Sequence, residues 1–327
     1  MNPLLPLLAA LLLVPLAVLY AAEPATPPKG DDWFLLTSHV NDREGLHLAV
    51  SPDGVKWQVV NGDRPVFART VGDVFRDPSI ARDESGTYHL VWTIAWGCRK
   101  HKGVGYATST DLIAWSQQRV IPVMENEPKA EFVWAPELFW DAKERQWMIH
   151  WASSVTGKFP ETLALYNGRA NGRIYYTLTK DFQTFTPSRL LFNANCLAID
   201  SYLYGADDGQ YYVFFKADRQ KAPKRGILVA KAPAATGPYT LDPQMLTAPD
   251  EGWAEGPSVI KVGDKHRMYY SMRSFRAYES PDLKSWTRIR EAWTPPRGYR
   301  HGTVIRISPG EARRLLEHKF PDWSIPK

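Results

Sequence analysis

The chain has 327 residues and a net charge of +5, with its 40 Lys and Arg scattered rather than striped, so the electrostatic footprint of a nucleic-acid binder is missing. Two cysteines, Cys98 and Cys196, exclude a disulfide scaffold and leave either two thiols or a single bridge. Thirteen Trp, 15 Tyr and 13 Phe supply the bulk that stacked β-sheets need, and most of them belong to a core.

Residues 3–22 run without a charge and lead into a Pro-rich stretch, residues 23–30. This reads as an export signal cleaved near Ala21 or Ala22 and followed by a linker, which predicts a periplasmic or secreted protein. An uncleaved N-terminal anchor is the alternative, because the run is just long enough to span a bilayer. Strand-like segments then begin at Trp33-Phe34-Leu35-Leu36 and Gly45 to Val50, followed by Ser51-Pro52-Asp53-Gly54-Val55-Lys56-Trp57. That heptad recurs as Ser109-Thr110-Asp111-Leu112-Ile113-Ala114-Trp115 and Ser280-Pro281-Asp282-Leu283-Lys284-Ser285-Trp286, more weakly from Thr179 to Phe185, and in degraded form over residues 232–239. Each copy places Asp in a turn and an aromatic at the start of the next strand.

A second repeat runs out of phase with the first. It reads Arg76-Asp77-Pro78-Ser79-Ile80, Trp134-Ala135-Pro136-Glu137-Leu138, Ala198-Ile199-Asp200-Ser201-Tyr202, Ala254-Glu255-Gly256-Pro257-Ser258 and Arg300-His301-Gly302-Thr303-Val304. The lead residues Asp77, Glu137, Asp200, Glu255 and His301 fall at intervals of 60, 63, 55 and 46, about the length of one four-stranded blade. After Asp77 and Asp200 the chain shows an acidic-Gly turn between aromatic, β-branched runs, which is a hairpin signal. Because the chain opens with outer-strand material and ends on a lead motif without outer strands, the C-terminal strand completes the N-terminal blade and closes a ring. The expected fold is therefore all-β: one five-bladed β-propeller over residues 31–312, with a tail, residues 313–327, packed on its outside.

Five polar side chains aimed at one axis form an acid/base site. The chain has no Gly-x-Ser-x-Gly, no phosphate loop, no Cys-x-x-Cys and no His-x-x-x-His. What remains is a set of convergent carboxylates, and carboxylates with opposed protonation states are the machinery of glycoside hydrolysis. No cofactor is required for that chemistry.

The motifs Asp77-Pro78, Trp134-Ala135-Pro136-Glu137, Ile199-Asp200 and Glu255-Gly256-Pro257 make the chain resemble glycoside hydrolase family 43 across the whole region after the apolar run. That family comprises five-bladed propeller enzymes acting on arabinosides, xylosides and some galactosides. The resemblance implies inversion of the anomeric centre, with Asp77 as general base, Glu255 as general acid and Asp200 positioning the acid and raising its pKa. It also places His301 where family members hold a calcium ion on the axis, an ion that would draw most of its shell from oxygen. The expected partner is an oligo- or polysaccharide, and the function an α-L-arabinofuranosidase or β-xylosidase type. A galactosidase and a non-catalytic sugar-binding propeller are the alternatives.

Substrate contacts are expected from Arg76, Arg273 and the aromatic faces of Trp96, Trp134 and Trp253. Glu137 divides evenly between bonding a sugar hydroxyl and bonding neighbouring protein. Arg76 would also keep Asp77 ionised, provided that both side chains reach the same mouth; neighbours on a regular strand point to opposite faces.

Overall fold

The computed structural model describes residues 32–163, 171–219, 223–272, 274–290 and 293–323. The apolar run and the linker after it lie outside these residues, as does Arg273. Among the described residues the strands form five antiparallel sheets. Blade 1 runs outward from Val304–Ile307 through Trp33–Ser38 and Gly45–Ser51 to Gln58–Val59, with Phe67–Ala68 also paired to Gly45–Ser51. Blades 2 to 5 have four strands each and begin at their inner edge with Arg76–Arg82, Trp134–Asp141, Leu197–Gly205 and Glu255–Val262.

The ring closes as the two repeats predict. Val304–Ile307 pairs with Trp33–Ser38 in the register Leu36↔Val304 to Trp33↔Ile307. Just before this ladder, the Thr37 amide donates to the Thr303 carbonyl at 3.0 Å, and Ser38 Oγ bonds both the carbonyl and the amide of Arg300. Gly302 is required here: a Cβ at this position would lie 1.7 Å from the Thr37 carbonyl oxygen.

Four copies of the heptad fold into the same turn. In the first three, the Ser or Thr side-chain oxygen accepts the amide of the residue three positions on at 2.8–2.9 Å; in all four, one Asp oxygen accepts the amides two and three positions on at 2.7–2.9 Å. The residue after Asp is left-handed in every copy: Gly54, Leu112, Phe182 and Leu283.

Packing follows the ring. Five hydrophobic clusters each join neighbouring blades: Leu35 and Leu48 with Trp92, Val91 with Trp151, Met148 with Phe215, Phe214 with Tyr270, and Tyr269 with Phe34. No blade owns a core by itself. The helix Pro309–Glu317 starts on a reciprocal Ser308/Glu311 capping box, and Ala312 and Leu315, with Phe320 beyond, enter the cluster between blades 1 and 2. Both cysteines are free, Cys196 in the core and Cys98 partly exposed on the rim.

Candidate active site

The inner strands of blades 2 to 5 all break register at the same place. Arg76 and Ser79 face Thr93 and Val91; Trp134 and Glu137 face Ala152 and His150; Glu255 and Ser258 face Ser271 and Tyr269. Three residue steps therefore oppose two, which is a β-bulge, and blade 4 breaks in the same way between Ile199 and Ser201. The bulged residues Asp77, Ala135, Asp200 and Gly256 have φ of 50°, 48°, 51° and 61°. For a non-Gly residue that conformation costs roughly 1–2 kcal/mol, and the fold holds it in place; at Asp77 the amide donates to His39 Nδ1 at 3.2 Å.

This register places the lead residues on three levels instead of one. Asp77 and Asp200 occupy the bulge itself, Glu255 stands one residue before it, and Glu137 two residues after, level with Ser79. The bulge also lets Arg76 and Asp77 share a mouth, with Arg76 Nε 4.0 Å from Asp77 Oδ1. Asp42 anchors the same guanidinium at 2.7 Å, and the group lies 4.5 Å from the centroid of the Trp96 ring.

Asp77, Asp200, Glu255, Arg76, Trp96, Trp134, Trp253 and His301 line one axial pocket of about 520 Å3. His301 forms its floor: Nδ1 is 3.4 Å from Asp77 Oδ1 and 3.9 Å from Asp200 Oδ2, while Nε2 points down to Glu137 Oε1 at 4.0 Å. Trp96 and Trp253 are 53% and 49% exposed, unlike most of the large apolar side chains, which lie in the interblade cores. Trp134 stacks on Phe132 and donates Nε1–H to the Trp96 carbonyl at 3.2 Å.

The two bulge aspartates titrate in opposite directions. Burial pushes the Asp77 carboxyl up, but His301, His39, Arg76 and the Thr93 hydroxyl at 2.9 Å outweigh it and hold the group below the usual range. His39 is itself pulled by burial to about 4, so at neutral pH it adds no positive charge beside Asp77, whereas Arg76 does. Asp200 is raised to about 6, first by burial and then by the Glu255 charge, against the pull of His301 and Lys216. Burial lowers His301, yet the charges of Asp200, Asp77, Glu137 and Glu255 carry it above its ordinary value.

Glu137 stands below the floor and does not line the pocket. It is 1% exposed and accepts from Ser79 Oγ at 2.5 Å and Thr303 Oγ1 at 3.1 Å, so its bonds go to protein, and burial pushes it up to about 8. Lys216 was not anticipated from the sequence. It is 3% exposed, and its Nζ lies 2.5 Å from Glu255 Oε2 and 4.4 Å from the Trp253 centroid. A lysine directly after the aromatic run Tyr211-Tyr212-Val213-Phe214-Phe215, within the same strand, was the available signal.

The donor set does not fit a calcium ion held through His301. Both ring nitrogens face carboxylates, whose charges raise the ring's affinity for a proton and so work against its lending a lone pair to a metal. Among the described residues no three His, Cys, Asp or Glu side chains form a metal-binding group, whereas calcium takes six to eight oxygens.

A five-bladed ring with carboxylates converging on its axial pocket is the architecture of the inverting propeller glycoside hydrolases. Residues 33–313 match the family described as a probable glycosyl hydrolase domain, related to glycoside hydrolase family 43, and the chain belongs to it. It is 25% identical over 219 residues to an α-L-arabinofuranosidase of Bifidobacterium longum subsp. longum, a match covering 57% of this chain and 20% of that protein. The chain thus spans about a fifth of that relative's length. In structure it resembles an endo-arabinase from Bacteroides thetaiotaomicron, with TM-score 0.57 and 16% identity over 79% of this chain and 88% of that one. It also resembles a thermostable family-43 glycoside hydrolase, with TM-score 0.51 and 18% identity over 68% and 75%. These two likenesses concern the fold.

Proposed function

We propose that the protein hydrolyses glycosidic bonds at the side chains or ends of plant or wall polysaccharides, as an α-L-arabinofuranosidase or β-xylosidase type. Asp77 is the base that takes a proton from the attacking water, Glu255 the acid that protonates the leaving oxygen, and Asp200 the third carboxyl that couples to Glu255. The observation that carries this reading is the convergence of these three carboxyls on one pocket, with Asp77 held ionised and Asp200 raised to about 6. Inversion needs a base that is ionised, and Asp77 meets that requirement. Exposed Trp96 and Trp253 supply sugar-stacking faces on the same pocket. The arabinofuranosidase name of the Bifidobacterium relative supports the choice of sugar, and the apolar run of residues 3–22 supports export to where such polymers lie.

The test is a panel of aryl α-L-arabinofuranosides, β-xylosides and β-galactosides. Asp77→Asn and Glu255→Gln are each expected to lower kcat/KM on the active substrate by roughly 10²–10⁴-fold, with melting temperature preserved. Magnetic resonance of the first-formed product should show the inverted anomer. A retained anomer, or a wild type that binds sugars and cleaves none of them, overturns the reading.

A further inference from the structure

The roles above leave one buried cation on the pocket wall without a part. Lys216 lies on the second strand of blade 4, between Ile199 and Ile227 in register. Its neighbours Phe214, Phe215 and Ala217 are all fully buried core residues, so packing alone would be served by an apolar side chain. An ammonium this deep is costly unless it is paired. Its partner is on another blade: Nζ crosses the seam to Glu255 Oε2 at 2.5 Å, at the mouth where the Trp253 ring lies 4.4 Å from the same nitrogen. Both Lys216 and Trp253 line the axial pocket.

We propose that Lys216 is a positioning residue for the acid step, holding Glu255 by Oε2 so that Oε1 carries the proton toward the glycosidic oxygen. The inference rests on the glycosidase reading above. In the step, water adds to the anomeric carbon and gives a proton to Asp77, the bond from that carbon to the leaving oxygen breaks, and the Glu255 Oε1–H proton passes to that oxygen. Glu255 ends as a carboxylate and Asp77 as an acid; exchange with solvent resets both. The negative charge that Glu255 gains develops beside an ammonium already in place, a preorganised charge on a lysine that is itself only 3% exposed. Trp253, which also lines the pocket, lies against the ammonium at 4.4 Å.

Leaving-group dependence tests this directly, because a good leaving group needs little proton assistance. Lys216→Met and Lys216→Arg are compared with wild type on aryl glycosides of the sugar that wild type cleaves, from 2,4-dinitrophenyl to 4-methoxyphenyl. For Lys216→Met, kcat is expected to fall no more than about threefold on the dinitrophenyl substrate and on the order of 100-fold on the methoxyphenyl one, with Lys216→Arg in between. An equal fall on every substrate is the mark of a merely structural lysine and overturns the proposal, as does no fall at all. If Lys216→Met fails to fold, Lys216→Arg, which keeps the charge and displaces it, carries the same comparison, and an unchanged leaving-group slope is the overturning result. A wild type inactive on the whole series refutes the glycosidase reading and this inference with it; activity in wild type with an unchanged slope in the variants refutes this inference alone.

Discussion

Glu137 is a carboxyl kept where water does not reach, and its position decides how the molecule responds to pH. Its folded-state pKa of about 8 lies above the ordinary glutamate value of 4.5, so the folded state holds a proton that the unfolded chain releases. For a group raised on folding, the stabilising contribution is complete below the unfolded value and is lost as pH climbs through the folded one. Glu137→Gln removes that ionisation while keeping an acceptor for the Ser79 and Thr303 hydroxyls. The melting temperature of the variant, relative to wild type, should therefore rise between pH 5 and pH 9. Parallel curves over that range would show that the His301 ring, 4.0 Å away, already compensates a Glu137 charge. Asp77 and Asp200 make the complementary point, since they share one backbone position and differ only in company. Asp77 has His301 at 3.4 Å and Arg76 at its side, and Asp200 has His301 at 3.9 Å and the Glu255 charge. The identity of these residues was legible in the sequence. The ionised Asp77 was legible in part through its neighbour Arg76; the contributions of His301, His39 and the Glu255 charge were not, because these partners come from other blades.

The bulge is the element that turns a strand end into a site, and it marks where sequence reading stopped. Pro78, Pro136 and Pro257 each follow a bulged residue, which made the motifs recognisable. The extra residue also changes the level of every side chain beyond it. Aligning motifs by residue type therefore set Glu137 beside Asp77, whereas backbone register sets Glu137 beside Ser79. Gly256 shows how tightly this element is built: its φ is +61°, and a Cβ there would lie 2.5 Å from Cγ of His301. Gly263, in the next hairpin turn, has φ +62° with nothing within 4 Å. Gly263→Ala should thus cost only the backbone strain, roughly 1–2 kcal/mol, and leave kcat unchanged. Gly256→Ala adds overpacking of about 1–3 kcal/mol and pushes the His301 ring off its carboxylates. It should lower both melting temperature and kcat. Equal losses in the two variants would mean that the ring moves aside without consequence.

At the scale of the whole molecule, closure was legible because two repeats of different phase run along one chain, and only one pairing reconciles their order. His39 and Asp42 left no comparable trace, and Lys216 only the oddity of a lysine at the end of an aromatic run, since each matters through a contact across a seam between blades and no local pattern encodes a seam. The same seams make stability a property of the ring, because every hydrophobic cluster is shared by two blades. The segment after Gly302 contributes Val304, Ile307, Leu315 and Phe320 to that packing. At about 1.5–3 kcal/mol for each large apolar side chain buried, these four are worth roughly 6–12 kcal/mol, comparable with an entire folding stability of about 5–15 kcal/mol. Ending the chain at Gly302 also strips the ladder partner from Trp33–Ser38 and leaves an apolar strand edge open to other chains. Such a chain should lose its cooperative thermal transition and aggregate, even though Asp77, Asp200, Glu255 and His301 are all still present. Supplying residues 303–327 as a separate co-expressed segment should restore soluble protein with a single transition. A truncated chain that melts cooperatively alone would show that four blades hold the ring without the fifth being sealed.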